Sequence, residues 1–325
     1  MIHVLINPAG AGGRTVKYWK KQEALFRESG QPYAVHLSRS EADLAKICRH
    51  ICPDSLGRAD GPVDLVVVGG DGTINQVLNA IPDLSAVRLG IIPCGSGNDL
   101  AKDLSLPADG REIARTVLRG EARRKSDVGL VELLDKDGRI LQSRRFLTGC
   151  GFGFDAAVCH GVEVSPLKGI LNRLHLGKLI YIAVAIRMIF SFRQMPVEIS
   201  CVRSTEDAAP AAAAVQRAFP HCLLLAAMNH RFQGGGFLFA PEASAEDGQL
   251  DVCIADPKNR LDFFPIFPTA YRGEHVKFDC VTMLHTPEIT MRTQAPQWVH
   301  TDGEPFAQAS CIRVRILPEK LSFLV

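Results

Sequence analysis

An excess of charge of one sign is the first thing this sequence lacks. Across 325 residues, 37 Lys and Arg face 35 Asp and Glu, a formal net charge of +2. No long basic tail is present, so a nucleic-acid partner is not expected, although local basic clusters stay open as contacts to phosphate or a membrane surface. Long hydrophobic runs are missing too. No stretch reaches the ~18 apolar residues that a membrane-spanning helix needs. The nearest, LGKLIYIAVAIRMIF at 176–190, is interrupted by Lys178 and Arg187. The first residues, MIHVLINPAG, show no basic segment leading into an apolar one, so no secretory signal is expected. The ten cysteines lack paired metal-site spacing: Cys48 and Cys52 of CRHIC could share a helix face, but no second ligand pair follows. They read as free and mostly buried thiols of a cytoplasmic protein. No G-x-x-x-x-G-K-[ST] loop occurs. GAGGRT matches only the first two positions of G-x-G-x-x-G, and no acidic residue ends the second strand, which disfavours a dinucleotide dehydrogenase. No internal repeat is found.

What is present is ordinary globular material, 46% apolar and 22% charged, in a chain long enough for two domains or one large one. The first third alternates. IHVLINP, YAVHLS, DLVVVGG and RLGIIPCG read as short strands. Residues 15–29, 41–52, 73–80, 98–104 and 111–119 read as helices. Short apolar strands spaced by helices imply βαβ units and a parallel sheet. From about residue 125 the period changes. Strand patterns at 127–134, 140–149, 196–203, 221–228, 249–255, 275–283, 287–293, 297–301 and 311–317 surround a mostly helical insert at 155–192. The chain therefore reads as an α/β domain followed by a largely antiparallel β domain. EDAAPAAAAVQ, at 206–216, reads as a solvated connection between strands.

Three glycine-rich turns follow three of the early strands: NPAGAGGR at 7–14, GGDGTIN at 69–75 and PCGSGND at 93–99. In an open parallel sheet, ligands bind beyond the carboxyl ends of the strands. Glycine lets backbone N–H groups approach phosphate oxygens, and the following helix N-terminus adds partial positive charge. Thr73 and Ser96 add hydroxyls. Each turn alone could be a tight βα connection, whereas three together point to a polyphosphate. Asp71 repels an anion unless a divalent cation lies between them, and Mg²⁺ bridging carboxylate and nucleotide oxygens resolves that conflict.

GGDGTINQVLNAI followed by LGIIPCGSGNDLAKDL resembles the catalytic domain of the diacylglycerol kinase family. More closely it looks like the bacterial soluble lipid kinases, which also resemble sphingosine and ceramide kinases. The likeness continues in order through GCGFGFDAAV (149–158), MNHRFQGGGFLFAPEASAEDGQLDV (228–252) and HTDGEPF (300–306), nearly the whole chain. It implies an N-terminal Rossmann-like parallel-sheet domain, like that of NAD kinases and phosphofructokinases, and a C-terminal β-sandwich domain for the lipid, with ATP in the cleft between them. The expected bounds are 1–123 plus a returning strand at about 318–325, and 124–317. The implied activity is ATP- and Mg²⁺-dependent transfer of the γ-phosphate to a hydroxyl of diacylglycerol or a related lipid. Two rivals are a kinase of a soluble small molecule, since NAD kinases share the GGDG loop, and a nucleotide-binding module without activity. The second-half motifs argue against the first, and intact Asp71, Asp302 and Glu304 against the second.

Carried over residue by residue, the resemblance places nucleotide contacts on Asn7, Gly10 and Arg14, on Gly69, Gly70, Asp71, Gly72, Thr73, Ile74 and Asn75, and on Ser96, which stands where the family usually has threonine. Ser38 is the nearest match to a threonine after the second strand, in a stretch that departs from the usual pattern. Asp71, Asp99 and Lys102 would form the charge network near Mg²⁺–ATP, and helix capping is the other role open to Asn98 and Asp99. Transfer to a hydroxyl needs a proton acceptor. The resemblance offers Glu304 or Asp302 without separating them, and a plain Asp-Gly hairpin turn is the other reading. ASAEDGQLDV resembles a structural Mg²⁺ loop, with the carbonyls of Ser244 and Gln249 and the carboxylate of Asp247 as ligands, against a metal-free turn. Asp155 lies where sphingosine kinases place a substrate-contacting acid, or else caps a helix. Residues 167–193 read first as a core helix with solvated Lys168, Arg173, Lys178, Arg187 and Arg193, and second as an element that meets a membrane surface. The substrate class itself implies peripheral association with the inner face of the membrane. No motif encodes the oligomeric state, and a homodimer stays open.

Overall fold

In the computed structural model, which describes residues 1–52, 61–165, 177–202 and 215–325, the chain divides into two compact units, residues 1–127 with 319–325 and residues 128–318. The first unit runs β1 (Ile2–Ile6), α1 (Thr15–Glu28), β2 (Tyr33–Leu37), α2 (Glu41–Ile51), β3 (Val63–Gly69), α3 (Asp71–Ala80), β4 (Val87–Pro93), α4 (Asp99–Asp103), α5 (Gly110–Arg119) and β5 (Ala122–Ser126). The last strand of the chain, Leu321–Leu324, completes a six-stranded sheet in the order β2, β1, β3, β4, last strand, β5. All neighbours are parallel except β5, which runs against the last strand. Leu65, Val66, Val67 and Val68 of β3 are all buried, the continuous apolar run of a strand covered on both faces. On one face Trp19 and Phe26 of α1 and Ile113 and Val117 of α5 pack over Val4, Val66, Val68 and Ile92. Because β1, β3 and β4 run the same way, their glycine turns emerge at one edge.

The second unit runs β6 (Gly129–Leu134), β7 (Ile140–Phe146), β8 (Gly149–Gly153), α6 (Phe154–Glu163), α7 (Gly177–Ser191), β9 (Met195–Cys201), β10 (Val215–Cys222), β11 (Leu224–Met228), β12 (Phe232–Gln233), β13 (Phe237–Leu238), β14 (Leu250–Ala255), α8 (Phe263–Ile266), β15 (Val281–Thr286), β16 (Glu288–Thr301) and β17 (Glu304–Ile316). Its main sheet is antiparallel, in the order β15, β14, β11, β8, β16, β17, β6, β7, with β9 and β10 branching from β16. β16 changes partner along its length: residues 289–293 pair with β9 and residues 299–301 with β8, with a register break against β17 between Arg292 and Gln297. A bulge of this kind lets one strand serve two layers. Phe146, Phe152, Ile199, Leu225, Val252, Met291 and Val314 form the core of the sandwich. The opposite face of β11 and β14 is covered by Phe154, Val158, Ile189, Phe263 and Phe267.

Several segments differ from the sequence reading. The unit boundary falls after Asp127, because β5 pairs with the last strand and stays in the first sheet. The expected strand at 275–283 is a 3₁₀ turn, Glu274–Lys277, leading into β15; Gly273 at φ 69 redirects the chain. The expected strand at 221–228 is β11, Leu224–Met228, and β10, Val215–Cys222, precedes it as a strand the sequence reading lacks, with Pro220 inside the ladder irregularity between Phe219 and Cys222, where no N–H is required. β17 begins at Glu304 rather than 311, and the expected strands at 287–293 and 297–301 are one strand, β16. Lys168, Arg173, the side chain of Lys178 and most of EDAAPAAAAVQ lie outside the described residues. No disulfide joins the ten cysteines, and all but Cys94 and Cys280 are buried. Among the described residues no helix is long and apolar enough to cross a membrane.

Candidate active site

In the first unit the turns after β3 and β4 meet backbone to backbone. A Cβ on Gly70 would lie 3.0 Å from Gly95 Cα, and one on Gly95 would lie 2.8 Å from Gly70 Cα. No side chain fits at 95 without moving backbone, which is why both positions are glycine. Cys94 N–H donates to Gly69 O (3.0 Å) and keeps the two turns in register. Asn98, in the left-handed region at φ 53, does not cap α4. Its Oδ1 accepts from Gly95 N–H (2.9 Å) and its Nδ2 donates to Gly95 O (3.0 Å), so it clamps the turn. Asp99 N–H donates to Asp71 Oδ2 (3.2 Å), and Asp99 Oδ1 accepts from Lys102 Nζ (2.9 Å). Asp71, Asp99 and Lys102 are therefore linked, with Asp71 at the first turn of α3, where a helix dipole favours a carboxylate.

The first turn reaches the second through Asn7 Nδ2, 3.4 Å from Thr73 Oγ1, and Gly10 packs against Thr15 and Thr73. Arg14 closes that turn with a hydrogen bond from Nε to Ala11 O (2.9 Å). Burial then sorts the expected nucleotide contacts. Arg14, Ser96 and Lys102 are exposed, and Asn7, Gly10, Gly70, Asp71 and Gly72 are half-buried. Gly69, Thr73, Ile74, Asn75 and Ser38 are buried. Asn75 Oδ1 lies 3.4 Å from Asn79 Nδ2, the Ser38 hydroxyl donates to Ile6 O (3.3 Å), and a Cβ on Gly69 would lie 2.7 Å from Thr73. Those five support the turns from within. The outer set, backbone N–H groups and exposed cations around half-buried Asp71, with Asp99 buried beside it, fits a nucleotide phosphate chain with a divalent cation.

The second unit gathers the later motifs. Thr301 pairs with Glu304 across Asp302-Gly303, both at positive φ (52 and 81), the geometry of a type I′ hairpin. Asp302 also does more than turn the chain. Its Oδ1 accepts from Thr148 N–H (2.7 Å), Thr148 Oγ1 (2.7 Å), Leu147 N–H (3.1 Å) and Gly149 N–H (3.2 Å), and its Oδ2 lies 3.0 Å from Leu147 N. A carboxylate surrounded by so many donors orients a turn and is poorly placed to take a proton from a substrate. Asn229 Nδ2 donates to Leu147 O (2.8 Å), and the N–H groups of Asn229 and His230 donate to Thr148 O (2.9 and 3.0 Å). Residues 147–149 thus join the MNH and HTDGE segments.

Behind this turn lies a group that the sequence reading did not assign. His300 is fully buried, and its Nε2 is 2.9 Å from Asp155 Oδ2. Gly303 N–H donates to His300 Nδ1 (3.2 Å), which requires a lone pair there, so Nε2 carries the proton and donates to Asp155. Asp155 Oδ1 accepts from Ala156 N–H (2.9 Å). The Asp155 carboxylate, 8% exposed, is thus directed inward as the partner of His300 rather than outward to a substrate. The Gln233 amide, on the QGGGF hairpin, lies 3.0 Å from His300 Nε2. His300 is opposite Gly151 across β16 and β8, and a Cβ on Gly151 would collide with both Asp155 Oδ2 and His300 Nε2. The sequence signals were the histidine just before TDGE and the glycines of GCGFG. They mean nothing together until β8 and β16 are known to be neighbours.

Ser244 and Asp247 are exposed and Gln249 is half-buried on the loop before β14. Asp247 Oδ1 accepts from Gln249 N–H (2.9 Å), with Gly248 at φ 76. His285 lies beside it, 3.8 Å from Asp247 Oδ2 and 3.5 Å from Asp251 Oδ2. Burial pushes the Asp251 carboxyl up, and His285 opposes the shift. Among the described residues no group of three His, Cys, Asp or Glu side chains is arranged to hold a metal ion. The loop keeps its turn through its own hydrogen bond.

Known proteins resemble this chain in sequence and fold. The model of the diacylglycerol kinase catalytic domain matches residues 1–131, and that of the YegS C-terminal NAD kinase beta sandwich-like domain matches residues 150–325. A Bacillus subtilis (strain 168) relative with a lipid-kinase name, YtlR, is 30% identical over 317 residues, 94% of this chain and 95% of its own. A protein of Mycobacterium tuberculosis (strain H37Rv) named diacylglycerol kinase is 27% identical, with 99% of this chain and 94% of that one covered. A solved diacylglycerol kinase structure from Bacillus anthracis superposes with a TM-score of 0.66 at 17% identity, covering 99% of this chain and 96% of its own. Yeast NADH kinase does so at 0.53 and 12% identity, covering 99% and 83%. At those identities the two structures speak for the fold, the expected Rossmann-like parallel sheet with a β-sandwich. On these matches, the chain belongs to the family of lipid kinases that join a diacylglycerol kinase catalytic domain to a YegS-type β-sandwich domain.

Proposed function

We propose that this lipid kinase uses ATP with Mg²⁺ and transfers the γ-phosphate to a hydroxyl of diacylglycerol or a related lipid, giving phosphatidic acid or its equivalent. The observation that carries the reading is the backbone contact of the Gly70 and Gly95 turns, with Asp71, Asp99 and Lys102 linked beside it. In this reading the N–H groups of the turns, with Arg14, Ser96 and Lys102, hold phosphate oxygens, and Asp71 and Asp99 hold the cation. Mg²⁺ there would neutralise charge developing on the phosphate oxygens. Asp302 is engaged by residues 147–149, so the proton acceptor is Glu304, the first residue of β17. The His300–Asp155 pair holds the turn from behind through Gly303. The names of the relatives support a lipid acceptor, and a membrane-held substrate calls for peripheral association with the inner face of the membrane.

The test is phosphate transfer from labelled Mg²⁺–ATP to diacylglycerol, monoacylglycerol, phosphatidylglycerol, sphingosine, ceramide and undecaprenol in mixed micelles, with NAD as the soluble control. Labelled lipid that disappears with Glu304→Gln is the expected result. Labelled NAD, or no lipid product from a protein that binds ATP, would overturn the reading.

A further inference from the structure

Among the described residues, α7 is apolar on two faces, and only one is covered. Ala185 and Ile189 are buried in the cluster that contains Phe154, Leu224 and Phe263. The outward face carries Ile186 and Phe190, 39% and 55% exposed. Next to it, residues 258–264 present Leu261 and Phe264, 46% and 44% exposed. The Phe190 and Phe264 rings are 6.1 Å apart, and Arg260 Nη1 donates to Phe192 O (3.2 Å), so the two segments form one face. Single exposed apolar residues are ordinary, but a contiguous aromatic cluster marks a contact surface. Its charge is one-sided. Residues 186–193 and 258–264 contain Arg187, Arg193, Lys258 and Arg260 against one acid, Asp262. Arg187, Arg193 and Lys258 are exposed.

We propose that this face docks on an anionic lipid bilayer. Aromatic rings enter the boundary between headgroups and acyl chains, while the arginines and the lysine meet headgroup phosphates. A second copy of the chain is a poorer occupant, because a two-fold contact would set the same cations against one another. The proposal deepens the lipid-kinase reading and rests on it for its purpose: docking brings the kinase to a substrate held in a membrane. The buried face and the exposed Arg187 and Arg193 agree with the first reading of this helix, and the exposed apolar face is the part that the second reading would use.

The test is co-sedimentation with vesicles of phosphatidylglycerol and phosphatidylcholine, without ATP, for wild type, Phe190→Ser with Phe264→Ser, and Arg187→Glu. Wild type should bind the anionic vesicles and not pure phosphatidylcholine. The aromatic double variant should bind about tenfold less and Arg187→Glu about threefold less, all with unchanged melting temperature. Phosphate transfer to monomeric short-chain diacylglycerol should be equal in all three. Should the double variant melt early, Arg187→Glu and Leu261→Ser carry the comparison. Vesicle binding that no substitution weakens would overturn the docking face. So would a wild-type dimer that the aromatic variant converts to monomer in sedimentation velocity. Binding that follows the prediction, from a protein that phosphorylates no lipid, would support the docking face and overturn the lipid-kinase reading instead.

Discussion

Replacing Asp302 by alanine removes one acceptor from four donors at once: Thr148 N–H, Thr148 Oγ1, Leu147 N–H and Gly149 N–H, at 2.7 to 3.2 Å. Hydrogen bonds to a charged acceptor are worth ~1.5–3 kcal/mol each and are not additive within one network. A loss of about 3 kcal/mol from the second unit is expected, with about 1 kcal/mol more because alanine must sit at the left-handed φ of this residue. Asp302→Asn keeps an acceptor oxygen and tolerates that backbone, so its loss should be about 1–2 kcal/mol. Glu304→Gln is nearly isosteric and should stay within about 0.5 kcal/mol of wild type while abolishing transfer. The chain has two tryptophans, Trp19 in the first unit and Trp298 in the second. Urea unfolding followed by Trp298 fluorescence in a Trp19→Phe background therefore reports on the second unit. An Asp302→Ala protein that unfolds with wild type would refute the clamp. So would a Glu304→Gln protein that unfolds before Asp302→Asn, because the two acids would then have exchanged roles.

Three further outcomes are expected. Gly95→Ala places a Cβ against the backbone of Gly70, which must move, so it should weaken ATP binding about tenfold in calorimetry and also lower the melting temperature. Gly151→Ala forces Asp155 and His300 apart and should cost about 3 kcal/mol or more. Adding Asp155→Ala removes one of the colliding atoms, so the double variant should lose less than the sum of the single losses in thermal melts. The His275 imidazole is pushed below its ordinary range by burial, with its bond to Phe239 O opposing. The unfolded chain then takes up that proton first, so stability should fall as pH drops below about 6.5. His275→Gln should flatten the slope of stability against pH between about pH 7 and pH 5, and an unchanged slope would show that the group does not contribute.

Short-range pattern carried much of this molecule. The apolar run of β3 that ends in Gly69-Gly70 had to be a buried strand meeting a turn, since valine and leucine favour strands and glycine stops them. The parallel order of the early strands follows from the helices between them, and parallel strands place their turns at one edge. That three glycine turns gather at one edge of the sheet was legible for that reason, and the TDGE acids could be named as candidates. What each turn residue does was not. Asn98 could cap a helix or clamp Gly95, and both roles suit an asparagine after a turn.

Contacts between distant strands decided the rest. Asp302 lies more than 150 residues from Thr148, and Asp155 lies 145 residues from His300. Each pairing exists because β8 and β16 are adjacent, a register that no local propensity encodes. The glycine at 151 becomes intelligible only when the hydrogen-bonded His300–Asp155 pair behind it is seen. The exposed outer face of α7 is likewise a tertiary fact, because a mostly apolar helix reads the same whether both sides are covered or one. The sequence alone pointed to the family, to an α/β domain followed by a β domain and to candidate residues for phosphate chemistry. Tertiary structure alone decided which acid is held by backbone donors, which histidine stands behind the turn and which apolar face meets the outside, because those depend on chain segments that only folding brings together.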